Sequence, residues 1–164
     1  MPTLSRLAPC LWFDTNAEPA AQFYTSVFKN SRIVTTTHYG KAGFETHHKP
    51  EGSVLTVLFE LDGQPFTALN GGPEFTFTEA VSFEINCDSQ EEIDYYWETL
   101  SAGGDPKAQV CGWLKDKFGL SWQVVPRKMN DYFKETTAAS ERVMEAMMKM
   151  KKLDIAALEK AYAG

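Results

Sequence analysis

Residues 111–126, CGWLKDKFGLSWQVVP, carry two of the four tryptophans of the chain and read as two strands joined by a tight polar turn. Trp113 and Leu114 lead into Lys115, Asp116, Lys117 and Phe118, and Gly119 supplies the positive φ such a turn requires. On the returning strand Leu120, Trp122 and Val124 share one face, while Ser121, Gln123 and Val125 share the other. The first set suits a core and the second a pocket wall.

The rest of the chain is organised to match. Residues 7–13 alternate as a strand, with Pro9 favouring an edge or early position. Asp14, Thr15 and Asn16 offer capping oxygens, and Pro19 sits in the first turn of a helix whose apolar stripe is Ala20, Phe23, Tyr24, Val27 and Phe28. Residues 32–39 are rich in β-branched side chains and predict a strand, whereas the glycines and Pro50 of 40–52 predict a loop. Residues 54–61 and 64–69 form a hairpin about Asp62-Gly63. The pattern then begins again: a strand at 80–87, a capping box at Ser89 and Glu92, and a helix with Ile93, Tyr96, Trp97 and Leu100 buried, ending at Gly103-Gly104. A short strand at 107–110 and the 111–126 hairpin complete it.

The chain thus reads as an α+β fold of two tandem β-α-β-β-β modules, module one at about 5–72 and module two at about 78–127, within a single domain spanning 1–130. Residues 131–164 form a helical extension. Val143, Met144, Met147 and Met150 recur at helical spacing, and Asp154 caps a last helix containing Ile155, Leu158 and Tyr162. Such an apolar stripe needs a surface to cover, either on its own subunit or on a partner.

A length of 164 residues with 43% hydrophobic content suffices for one well-buried domain. A net charge of -6 argues against nucleic acid or an anionic membrane surface as partner, because both demand clustered Lys and Arg. No apolar run approaches the ~20 residues that span a bilayer, and the N-terminal residues lack the apolar core of a signal peptide, so a cytoplasmic location is expected. Cys10, Cys87 and Cys111 are odd in number and widely spaced, as suits reduced, buried thiols.

The stretches FDTNAEPAAQFY, FELDGQPFTALNGGP, AVSFEINCDSQEEIDYYW and CGWLKDKFGLSWQVVP, with the tail ERVMEAMMKMKKLDIAALEKAY, resemble the PhnB-like branch of the vicinal oxygen chelate superfamily, which includes glyoxalases, bleomycin-resistance proteins and dioxygenases. The resemblance implies strands that curl into an open cup, a homodimer, and a cavity inside the curved mixed sheet. It also brings the label 3-demethylubiquinone 3-methyltransferase. A Rossmann-type methyltransferase wants a glycine-rich turn between a strand and a helix, but Gly71-Gly72 follow a hairpin and Gly103-Gly104 a helix.

Metal-dependent members of the superfamily use His or Glu from the first and last strands of each module. To within one or two residues those positions fall at Ala8 and Ala80, at Thr67 or Ala68, and at Gln123, which are poor ligands, so neither a metal nor a cofactor is expected. A cup would point Cys10, Trp12 and Thr67 inward from module one, and Ser82, Glu84, Trp113, Ser121 and Gln123 from module two. Aromatic walls with a few hydroxyls and amides suit a small organic ligand. Glu84 is the one candidate for a general base if it is desolvated, which keeps an enzyme (a lyase, isomerase or transferase) as the alternative to a binding protein. His38, His47 and His48 read as loop histidines or as part of a lid.

Overall fold

A computed structural model describes residues 6–164, which divide into two compact units at the Thr76–Phe77 junction. The first holds a four-stranded mixed sheet of β1 (Cys10–Phe13), β2 (Arg32–His38), β3 (Val54–Leu61) and β4 (Gln64–Asn70), in the order β1-β4-β3-β2. β1 runs parallel to β4, and the β2, β3 and β4 pairings are antiparallel. Helix α1 (Ala17–Val27) packs on this sheet through Ala17, Ala20, Ala21, Tyr24 and Val27, all buried. They cover Leu11, Phe13, Val57, Phe59 and Ala68, which alternate along the strands as a half-buried sheet requires. The three alanines let the helix approach closely enough for Tyr24 to stack on Phe59, at a centroid distance of 6.4 Å.

Two local readings change here. The cap of α1 does not come from Asp14, Thr15 or Asn16; the buried Asn70 provides it from the end of β4, its Oδ1 accepting the Ala17 N–H at 2.8 Å and its Nδ2 donating to the Val54 carbonyl at 3.1 Å. One amide thereby ties helix, β3 and β4 together. The 40–52 segment contains a single helical turn, α2 (Phe44–His47), entered at the left-handed Gly43.

The second unit repeats the plan. β5 (Ser82–Cys87), β6 (Trp113–Lys115) and β7 (Ser121–Pro126) form a sheet in the order β5-β7-β6, with β5 parallel to β7 as β1 is to β4. Helix α3 (Gln90–Ser101) buries Ile93, Trp97 and Leu100 on its inner side. The Ser89 half of the expected capping box is present, Ser89 Oγ accepting from the Glu92 N–H at 3.3 Å, but the Glu92 carboxylate reaches one residue further back, to the Asp88 N–H at 2.8 Å, and not to Ser89. The strand expected at 107–110 is reduced to one bridge, Val110 to Trp113, after a 3-10 turn at Pro106–Ala108. Cys111 and Gly112, both at positive φ (50° and 84°), make a two-residue hairpin turn of the type whose twist matches the flanking strands. Because the 3-10 turn runs to Ala108, only Gln109 and Val110 precede the reversal, and Val110 alone pairs with β6.

The β6–β7 turn is organised by Asp116, only 2% exposed. Its Oδ1 accepts the N–H groups of Phe118 and Leu120 (2.8 and 3.1 Å), its Oδ2 accepts the Trp122 indole N–H (2.8 Å), and its backbone pairs with Leu120 and Gly119. A Cβ at Gly104 would overlap the Lys115 carbonyl, so the glycine after α3 sets how closely the helix end meets β6.

The C-terminal segment, α4 (Met129–Tyr132), α5 (Ala138–Met147) and α6 (Ile155–Ala163), packs on this same unit. Tyr132, Val143, Leu153 and Leu158 cluster with Val125 of β7. The N–H groups of Cys111 and Gly112 donate to the Met150 and Lys151 carbonyls (2.9 and 2.8 Å), and the Gln90 amide bridges Leu153 O and Ile155 N. Asp154 caps α6 through the Ala157 N–H.

Replacing Asp116 by Ala strands three N–H donors, two of them buried, and urea unfolding should show a loss of about 3 kcal/mol; Asp116→Asn, which keeps one acceptor oxygen but turns an NH2 toward the indole, should lose less. In the same assay Cys111→Val should cost about 2 kcal/mol, because a β-branched residue is strained at positive φ, whereas Cys111→Asn should be nearly neutral.

Candidate functional site

Each sheet has one face covered by its own helix, α1 or α3, and the opposite face of the second sheet is covered in part by the C-terminal helices, which bury Val125. The parallel ladders fix which side chains share the face opposite α1 or α3. In the first unit Cys10 pairs with Thr67 and Trp12 with Leu69. Trp12 is held: its indole N–H donates to the Gly72 carbonyl at 2.9 Å, and its ring meets Phe75 edge-on at 5.0 Å and packs where a Cβ on Gly71 would sit. Thr67 is half-buried and Cys10 exposed.

In the second unit one row across the sheet is Ser82, Ser121 and Lys115, and the next is Glu84, Gln123 and Trp113. Gln123 Nε2 donates to Ser82 Oγ at 2.9 Å. Glu84, beside Gln123, is exposed, so the desolvation that a general-base role would need is absent. Trp122, on the opposite face, is locked in the core by Asp116.

Trp113 and Ser121 meet in a cleft of about 380 Å³, within the range of small-ligand sites. Its apolar wall is Ala108, Val110, Trp113 and Leu114. Lys107, Lys115, Glu79 and Ser121 supply the polar groups. Lys115 Nζ pairs with Glu79 Oε1 at 2.6 Å, and this hydrogen bond holds the Glu79 carboxyl below the usual carboxylate range. Ser121 is 1% exposed, and its hydroxyl has no hydrogen-bond partner among the described residues. Lys107, Lys115, Glu79 and Val110 were not among the expected site residues. Lys115 could have been found, since it lies two residues from Trp113 on the same strand face; the others come from segments with no strand period.

The ladder also tests whether the fold's metal could be held here. Measured from the turn glycines Gly63 and Gly119, Thr67 and Gln123 are equivalent, and their ladder partners are Cys10 and Glu84. The counterpart of Ala8 is then Ser82, two residues beyond Ala80. Where metal-dependent relatives would set His against Glu, module two sets a serine hydroxyl hydrogen-bonded to a carboxamide, and module one sets Ala8 and Thr67. Neutral amide and hydroxyl groups are weak ligands for a divalent transition metal. Among the described residues no group of three or more His, Cys, Asp or Glu side chains could hold an ion. The donor set does not fit the metal.

The histidines lie in the first unit. His38 ends β2 and is exposed. The His47 Nδ1 accepts the Lys49 N–H at 2.9 Å, its Nε2 faces the Ala42 carbonyl at 3.1 Å, and its ring packs on Tyr39 at 4.5 Å. Tyr39 in turn donates to the Asn70 carbonyl at 2.7 Å. His47 therefore pins its loop to the sheet, and His48, at φ 52°, caps α2.

The chain matches the family model described as 3-demethylubiquinone-9 3-methyltransferase over residues 5–125. No curated protein matches. Among solved structures it is similar to a PhnB protein from Bacillus cereus assigned as a 3-demethylubiquinone-9 3-methyltransferase, at 34% identity over 74% of this chain and 99% of that one, with a TM-score of 0.62. The protein PA1353 from Pseudomonas aeruginosa shares 18% identity over 74% of this chain and 96% of its own, with a TM-score of 0.56. A mutant of the fosfomycin resistance protein FosX from Listeria monocytogenes, complexed with Mn(II) and 1S,2S-dihydroxypropylphosphonic acid, shares 14% identity over 81% of this chain and 98% of its own, with a TM-score of 0.50.

Cys87 closes β5 in the core, where burial, followed by the nearby Glu92 and Asp88 carboxylates, pushes its thiol from 9.0 up to about 12. A raised native value favours the protonated fold. Its contribution should be whole below about pH 9 and be lost as pH climbs toward 12. Stability measured across that window should fall less steeply in Cys87→Ala, and a thiol reagent at pH 8 should leave Cys87 unmodified until the protein unfolds.

Proposed function

For a chain that belongs to the 3-demethylubiquinone-9 3-methyltransferase family, the PhnB-like branch of the vicinal oxygen chelate superfamily, we propose the role of a small-molecule-binding protein that works without a metal. The observation that carries this reading is the cleft beside Trp113 in module two, where Trp113, Val110 and Ala108 offer an apolar wall of small-ligand size. The Ser82–Gln123 hydrogen bond supports the metal-free part, because it spends the two groups nearest the usual ligand positions on each other.

The family's name suggests methyl transfer, and the PhnB protein of Bacillus cereus carries the same description. Support for that chemistry is weak in these residues. Gly71-Gly72 follow β4 and Gly103-Gly104 follow α3, whereas a dinucleotide-like cofactor turn leads from a strand into a helix. The exposed Glu84 offers no desolvated base. Binding in the cleft requires neither feature. The reading carries with it a homodimer in the cytoplasm, on the pattern of the superfamily.

The test is a thermal-shift screen of the purified protein with small aromatic and amphipathic compounds, S-adenosylmethionine, and Mn(II), Zn(II) or Ni(II). Mass action predicts that ligands of the cleft raise Tm, by an amount set by RT ln(1 + [L]/Kd), while the metals and S-adenosylmethionine leave it unchanged. A stoichiometric, tightly bound metal in elemental analysis, lost in Gln123→Ala, would sink the metal-free reading. Sedimentation should give twice the subunit mass.

A further inference from the structure

Two of the apolar walls of the cleft, Val110 and Trp113, flank the Cys111-Gly112 turn. Their backbones close the turn with a reciprocal pair of hydrogen bonds, at 3.1 and 2.8 Å, but the two N–H groups within it donate instead to the Met150 and Lys151 carbonyls, at 2.9 and 2.8 Å. On its other side the Gly112 carbonyl accepts from the Val124 N–H of β7 at 2.8 Å. A Cβ on Gly112 would stand 3.0 Å from both the Leu153 side chain and the Val124 carbonyl, so no slack remains. The turn is clasped between β7 and a strap of residues 150–155. It needs the clasp, because Cys111 is a non-glycine residue at φ 50°, a conformation that persists only where the surroundings impose it.

The strap is itself held from α3. Gln90 Nε2 donates to the Leu153 carbonyl at 3.1 Å, and its Oε1 accepts the Ile155 N–H at 2.9 Å, so one carboxamide grips the strap on both sides of Asp154. A further bond from Nε2 to Asp94 Oδ1 at 3.1 Å fixes how the amide is turned, and Lys152 of the strap pairs with the same carboxylate at 2.7 Å. Gln90 does not line the cleft. The strap lies beyond residue 125, where the family match ends, so the clasp is an addition to the matched region.

Resting on the binding role proposed above, we propose that Gln90 is a positioning residue of the cleft: through the strap it fixes the Cys111-Gly112 turn, and through the turn the placing of Val110 and Trp113. The chain of contacts is continuous, from carboxamide to strap backbone to turn N–H groups to the two walls. Loosening the strap returns those N–H groups to water and frees Cys111 to leave positive φ, which moves the residues on either side of it. Trp122 stands apart from this chain, since Asp116 holds its indole from the opposite end of the hairpin.

The experiment compares the wild-type protein with Gln90→Ala and Ile155→Pro. The second variant removes the N–H that Gln90 receives at the first position of α6, where a helix tolerates proline, and so breaks the same contact from the other side. Hydrogen exchange read residue by residue should show the Cys111 and Gly112 amides exchanging about tenfold faster in both variants. In 1H–15N spectra the Trp113 indole resonance should shift while those of Trp12 and Trp122 stay in place, a pattern that general destabilisation does not produce. Benzoate, used as the probe of the cleft, should bind both variants about fivefold more weakly than wild type. Unchanged exchange at Cys111 and Gly112 in both variants would overturn the inference, and so would faster exchange with the Trp113 resonance and the benzoate affinity unmoved. A wild-type protein that ignores benzoate and every compound of the broader screen would overturn the binding role, while a Trp113 shift in the two variants would still uphold the positioning by Gln90.

Discussion

The hydrogen bonds of the buried Asp116 carboxyl group hold the second module together. Three N–H donors converge on it, from Phe118, Leu120 and the indole of Trp122, and the turn they define fixes the register of β6 on β7. A shift of one residue would turn Trp122 out of the core and Ser121 into it. With the register held, Lys115 and Ser121 fall in one row and Trp113 and Gln123 in the next, which is the arrangement that makes the cleft. Asn70 plays a comparable part in module one by capping α1 from the sheet. In both modules a single buried polar side chain does what no local propensity could, joining segments that the backbone alone leaves independent.

The two tryptophans of the hairpin illustrate the division of labour that follows. They differ by nine positions in sequence and lie on opposite faces of one sheet. Trp122 has its N–H satisfied by Asp116 and is core. Trp113 is half-buried on the cleft wall. The Ser82–Gln123 pair and Ser121 lie on the Trp113 side, so the polar side chains of this sheet gather on the face opposite α3.

Most of the fold was legible because its signals are periodic. Strand alternation assigned the faces of β1, β5 and β7, the helical stripes marked Ala20, Tyr24 and Val27 of α1 and Ile93, Trp97 and Leu100 of α3 while Phe23, Phe28 and Tyr96 stay partly exposed, and the Asp62-Gly63 turn is as expected, with both residues at positive φ. The family resemblance rested on the same stretches. What failed to show was non-local or non-periodic. The cap of α1 lies 53 residues away from the helix start. Cys111 at positive φ is an unusual choice for a hairpin turn, and it hid the reversal that shortens the strand expected at 107–110. The candidate site was half readable: Trp113 and Ser121 follow from alternation, whereas Glu79 and Lys107 reach the cleft from irregular segments, and Asp116 looked like an ordinary turn residue.

The central claim is that the Trp113 side of this sheet binds a small molecule. It is tested most directly by the indole N–H resonances in a 1H–15N correlation spectrum, assigned with single Trp→Phe variants and followed through a titration with benzoate. The account predicts a saturable shift of the Trp113 resonance at the cleft, with the Trp122 resonance, held by Asp116, unmoved. A Trp113 resonance that stays in place at saturating benzoate, or a shift spread evenly over all four indoles, would contradict it.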